Sequence, residues 1–225
     1  NPYKDLSIFS RLYKIYPTQD SHDVDLNWSL PPILGEYQTK PLDYLANIIR
    51  HKGKGSLFSF LKQKHWAIGL GASSSLSDTH SIFTISISLT EKGHSSIKNV
   101  LDAVFSYLSL LRLEIPDQRL FEEFKQILEL DFEHGEEEES IDRVEALSTA
   151  MHIYPPEHCL NYWLSKKFDS SMIEGILNQL KPEGLNLFIS SKEYKDVAIK
   201  VEPIYGGRYI DENIPDDWRD SWIKC

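Results

Sequence analysis

Eight histidines are the side chains in this sequence best suited to chemistry. Two imidazoles one helical turn apart, with a carboxylate beside them, hold a zinc ion and activate its water. Neither H-E-x-x-H nor H-x-x-E-H occurs. The nearest approach is His134-Gly135-Glu136-Glu137, where Glu138 stands in place of a second histidine. His152 and His158 flank Pro155-Pro156, so they share no helical face. The histidines therefore read as surface or structurally satisfied residues. No catalytic residue and no metal ligand is assigned; His134 with the Glu136–Glu139 run is left open as an alternative cation site.

Other reaction classes fail on order or context. Gly53-Lys54-Gly55-Ser56 lacks the G-x-x-x-x-G-K-[ST] order that cradles phosphates. Gly69-Leu70-Gly71 would need a third glycine at position 74, which is Ser, and a helix directly after it. There is no G-x-S-x-G elbow for a nucleophilic serine. The two cysteines, Cys159 and Cys225, are too few for a disulfide framework and too far apart for a thiolate zinc site. They read as reduced thiols, which implies a cytoplasmic setting.

Charge is distributed unevenly. From Asp117 to Glu145 twelve acidic residues face three basic ones, so this window holds −9 of the total −10. It reads as a solvated helix face and loop, with attraction of cationic peptides as the functional alternative. From Tyr44 to Ser77 there is no acidic residue, and Arg50, Lys52, Lys54, Lys62 and Lys64 fall there. That stretch either suits an anionic group or is a helix pair with its lysines in water. A net charge of −10 argues against non-specific nucleic-acid binding. No apolar run reaches the length of about 18 residues that a membrane helix needs. The first residues lack an apolar signal segment and an initiating Met, so the sequence is expected to be a piece excised from a longer protein.

The elements that must position these residues follow from periodicity. Arg11 to Thr18 is β-forming. Val24, Leu26, Trp28 and Leu30 alternate with polar residues as in a half-buried strand. Lys40 to His51 has helical spacing with Pro41 in its first turn, and Ser56 caps a second helix to Lys64. Trp66 to Ala72 and Ser81 to Leu89 read as strands paired antiparallel across a Ser73–Asp78 turn. Thr90 is expected to cap one long amphipathic helix ending at Pro116, and Asp117 a second; a third runs to about His152. Shorter helices are expected near Leu160 and over Ser170 to Leu180. Leu185 to Ile189 is a core strand, followed by an irregular tail with a short terminal helix carrying Trp218 and Trp222. With 225 residues and 41% hydrophobic content, a single α+β domain follows: a largely antiparallel sheet covered on one face by long helices.

The stretch from Lys40 to Ala67, KPLDYLANIIRHKGKGSLFSFLKQKHWA, resembles the insulinase family of zinc metallopeptidases, in its insulin-degrading enzyme and nardilysin branch. Leu26-Asn-Trp-Ser-Leu-Pro31, Phe83 to Gly93, Val104 to Leu108, Phe121 to Phe124, Tyr154-Pro155, Leu180-Lys-Pro182 and Tyr205 to Tyr209 agree in the same order. The resemblance runs from Leu12 to Trp222 and is to the second, non-zinc domain of the N-terminal half. It implies a parent metalloendopeptidase of four related α+β domains around a chamber, with zinc bound by another domain and none here. Implied partners are a peptide substrate and the zinc-bearing and C-terminal domains of the same polypeptide. It further implies a chamber-wall domain with an exosite that holds peptide by strand addition. Carried onto this sequence, the exosite falls on Arg50, Lys52, Leu70, Gly71, Ala72, Ser73 and Ser74. The family turn His-Glu-Gly is His51-Lys52-Gly53 here, and the preceding Gly is Arg50. The family's Gly-Gly at the strand end is Ala72-Ser73. The alternative implied by these changes is a binding or scaffold module of an inactive homologue.

Overall fold

The computed structural model describes residues 9–135 and 139–224. Seven strands form one sheet in the order β3-β4-β2-β5-β1-β7-β6. They are β1 (Arg11–Tyr16), β2 (Asp23–Leu30), β3 (Ala67–Leu76), β4 (Ser81–Leu89), β5 (Leu185–Ser190), β6 (Lys200–Val201) and β7 (Arg208–Asn213). All neighbours are antiparallel except β1 and β5. The helices are α1 (Pro41–Arg50), α2 (Leu57–Gln63), α3 (Glu91–Ser95), α4 (Ile97–Glu114), α5 (Gln118–His134), α6 (Ser140–Ile153), α7 (Ser170–Leu177) and α8 (Asp216–Ile223). This is the expected α+β arrangement, and no described helix is long and apolar enough to cross a membrane.

The period-two pattern sets which face of the sheet is dry. Val24, Leu26, Trp28 and Leu30 of β2 are buried with Phe83, Ile85, Ile87 and Leu89 of β4 and Leu185, Leu187 and Ile189 of β5. The helices close over this face with Leu45, Ile49, Val104, Phe105, Leu108 and Phe121. Burying each large apolar side chain stabilises the fold by about 1.5–3 kcal/mol. The other face is polar: Thr84 Oγ1 donates to Asn27 Oδ1 at 2.6 Å, and Ser88 Oγ donates to Asp23 Oδ1 at 2.8 Å.

Local chemistry starts the helices. The Ser56 hydroxyl accepts the Ser59 N–H, the Asp117 carboxylate accepts that of Arg119 and the Asp169 carboxylate that of Met172. Tyr44 is buried on α1. Its hydroxyl donates to the Asp117 carbonyl at 3.1 Å and accepts the Asp117 N–H at 3.3 Å, tying α1 to the start of α5. Burial pushes the Tyr44 phenol above its ordinary range, partly offset by that backbone contact.

Four elements depart from expectation. The serine run is not a turn: Ser73, Ser74 and Ser75 lie in β3 opposite Thr84, Phe83 and Ile82, and the chain reverses at 77–80. Ladder pairing with β4 overrides the turn preference of serine. Thr90 does not cap a long helix but only α3, through the Gly93 N–H at 3.0 Å. Thr90 N also donates to the Trp66 carbonyl, and a Cβ on Gly93 would stand 1.9 Å from that oxygen. This contact anchors α3 against the start of β3, and α4 begins anew after Ser96. No α-helix forms at Leu160; a 3-10 turn at Pro156–His158 and further turns replace it. The tail holds two strands, β6 and β7. Their residues are mostly polar, and β7 is fastened to β1 by Arg11–Asp211 at 2.5 Å and Lys14–Glu212 at 2.5 Å.

Candidate functional site

Strand β3 lies at one edge of the sheet, with β4 as its strand neighbour. Five of the seven expected exosite residues sit on it. Leu70, Gly71, Ala72, Ser73 and Ser74 pair with Ile87, Ser86, Ile85, Thr84 and Phe83. Side-chain alternation divides them. Ala72 is buried and Leu70 packs against the core, while Ser73 is exposed with the polar face. A side chain at Gly71 would meet nothing within 4 Å, so the polar face of the strand is open there. Ser74 Oγ donates to Asp43 Oδ1 at 3.1 Å, which joins β3 to the first turn of α1. The ladder shifts register between Ala67 and Gly69, leaving Ile68 71% exposed at the bulge.

Arg50 and Lys52 lie elsewhere, at and just beyond the end of α1. Arg50 is the last residue of α1 and is exposed. Lys52 is exposed in the turn that follows. Neither makes an ion pair among the described residues. Arg50 lines a cavity of about 680 Å³ with His51, Lys54, Glu114, Asp117 and Arg119, and no β3 residue borders it. The turn itself is built for glycine: Gly55 has φ +86°, and the Ser56 N–H donates to the Gly53 carbonyl at 3.2 Å.

The comparisons with known proteins agree with this architecture. Residues 1–128 match the model described as "Peptidase M16 inactive domain", and residues 132–225 match "Middle or third domain of peptidase_M16". The chain belongs to the peptidase M16 family. It is 35% identical over 218 residues to a nardilysin-like protein of Arabidopsis thaliana, covering 94% of this chain and 21% of that one. It is 31% identical over 214 residues to human insulin-degrading enzyme, covering 94% of this chain and 21% of the enzyme. The chain thus spans about a fifth of the length of these relatives. The crystal structure of pitrilysin shares the fold, with a TM-score of 0.92 at 22% identity over 98% of this chain and 24% of that one. Within that family, its first 128 residues correspond to the domain described as inactive and the rest to the middle or third domain.

The residues present do not fit the zinc centre that the insulinase resemblance implies for the parent. Among the described residues no helix carries two histidines one turn apart. His152 is near the end of α6, and His158 lies past Pro155 where its Nδ1 meets the Tyr37 hydroxyl at 2.7 Å. His134 ends α5, but most of its acidic run, Glu136 to Glu138, lies outside the described residues. No step of peptide hydrolysis is assigned to this chain.

Proposed function

We propose that this chain is one non-catalytic unit of a metalloendopeptidase, forming chamber wall and presenting β3 as an edge on which a peptide adds as a further strand. The observation that carries the reading is the place of β3: a ten-residue strand at the sheet edge. The two family models meet between residues 128 and 132, yet β5 and β7 from the second stretch pair with β1 and β2 from the first. That continuity supports a single unit. In the parent, zinc and the carboxylate that activates water would belong to another domain, and the exposed turn at Lys52 would bias which peptide ends are held. An ammonium at Lys52 disfavours a free α-amino group and favours an acidic segment.

The test uses the full-length parent and a peptide substrate with alternate backbone nitrogens methylated. Methylation removes the donors that a strand ladder needs and leaves the side chains in place. Strand addition predicts a KM raised by about tenfold, the value of one or two lost hydrogen bonds. Equal KM values for the two peptides would contradict it. The scaffold alternative rests on the charge reversal at Lys52 and predicts peptide binding with no cleavage by the parent.

A further inference from the structure

Three loops meet at one end of the central strands. Asp23 at the start of β2 pairs with Ser88 near the end of β4 and with Ser190 at the end of β5. The residues just beyond these ends converge: His22 before β2, Glu91 and His94 on α3, and Glu193 with Tyr194 in the 3-10 turn at Lys192–Lys195. Ligand atoms of His22, Glu91 and Glu193 lie within 4.8 Å of one another. His22 Nε2 stands 3.4 Å from Glu91 Oε1, and His94 Nδ1 stands 3.6 Å from Glu193 Oε2. The two imidazoles stack with centroids 4.5 Å apart, and their side chains are only 12% and 9% exposed.

These separations are too long for good N–H···O hydrogen bonds, which span about 2.7–3.2 Å. The 3.4 Å between His22 Nε2 and Glu91 Oε1 matches the ligand-to-ligand distance around tetrahedral zinc, about 3.3–3.5 Å for bonds of about 2.0–2.2 Å. Of the two His22 ring nitrogens, Nε2 faces Glu91, while the buried Nδ1 has no hydrogen-bond partner among the described residues. The Tyr194 hydroxyl lies 3.2 Å from His94 Nε2 and orients that ring.

We propose that His22, Glu91 and Glu193, with His94 beside Glu193, form a divalent-cation site of the zinc type. The mixed imidazole and carboxylate set suits zinc, whereas magnesium and calcium take oxygen alone. The bound ion would clip the start of β2, α3 and the turn after β5 into one corner. Its ligands come from positions 22, 91 and 193, a spacing no short motif describes.

The test titrates the chelator-stripped 225-residue chain with zinc alone, against a chromophoric zinc chelator. The expected result is one ion bound per chain and a raised thermal midpoint, with magnesium producing neither. His22→Gln and Glu193→Gln should each weaken binding by about tenfold or more. Glu193 is exposed, so its replacement leaves the fold intact. His152→Gln, on the exposed end of α6, should leave binding unchanged. Less than one ion per unaltered chain, or affinity that survives the Glu193 substitution, would overturn the proposal.

Discussion

At the scale of single residues, two glycines with opposite surroundings separate packing from flexibility. Gly93 is buried on α3 with the Trp66 carbonyl where its Cβ would be, and backbone cannot give way cheaply. Gly93→Ala should cost about 3 kcal/mol or more in denaturant unfolding. Gly175 sits in α7 with open space around it, so Gly175→Ala should instead gain about 0.5–1 kcal/mol through helix propensity. Equal losses at both positions would refute the contact argument. Lys52 is exposed and unpaired, so its effect is electrostatic. Lys52→Glu should tighten inhibition of the parent by peptides with a free N-terminus by about threefold to tenfold, less at high salt. An inhibition constant that does not move would remove the turn from the substrate path. The His22, Glu91 and Glu193 cluster has no counterpart in sequence reading, because its members are separated by most of the chain and each alone looks like an ordinary surface residue.

At the scale of elements, legibility follows the physical cause of each one. β2 and β4 are readable because one face is buried and the other is polar, which writes strict alternation into the residues. α2 and α5 are readable from their caps and apolar stripes, and α1 from its stripe and the proline in its first turn. β7 is not, because ion pairs from Arg11 and Lys14 hold it rather than an apolar face. The break between α3 and α4 is hidden as well, since its cause is a tertiary contact with Trp66. Of the proposed exosite residues, all assigned by resemblance, the residue pattern placed Leu70 to Ala72 on a strand but read Ser73 and Ser74 as turn, where the structure continues β3. The terminal helix offers a direct check. Asp102 on α4 accepts hydrogen bonds from the Ser221 hydroxyl at 2.8 Å and the Trp222 indole at 3.0 Å, and it pairs with Lys98 at 2.9 Å. Trp222 stacks on Phe105 at 4.6 Å. Asp102→Ala should destabilise by about 1–3 kcal/mol and loosen α8 first, seen as faster amide exchange over 216–223. Uniform loss of protection across the chain would contradict this anchoring role.

At the scale of the whole molecule, the sheet has two edges of different character. β6 is two residues long and its neighbour β7 is rich in charge, which blunts that side. β3 is ten residues long, carries glycines and serines, and has α1 packed beside it with Asp43 holding Ser74. A long edge with small residues is a template for another strand, which is what the proposed peptide-binding role requires. Among the described residues, Asp142 and Glu145 of α6 line a cavity with Leu76 at the end of β3, so part of the acidic stretch borders this strand. The most direct measurement is amide hydrogen exchange on the parent with and without a non-cleavable peptide. Strand addition at β3 predicts slowed exchange at alternate residues between Gly69 and Ser75, with β6 and β7 unaffected. Peptide binding that leaves those β3 amides unchanged, or protects a different edge, would contradict the central claim.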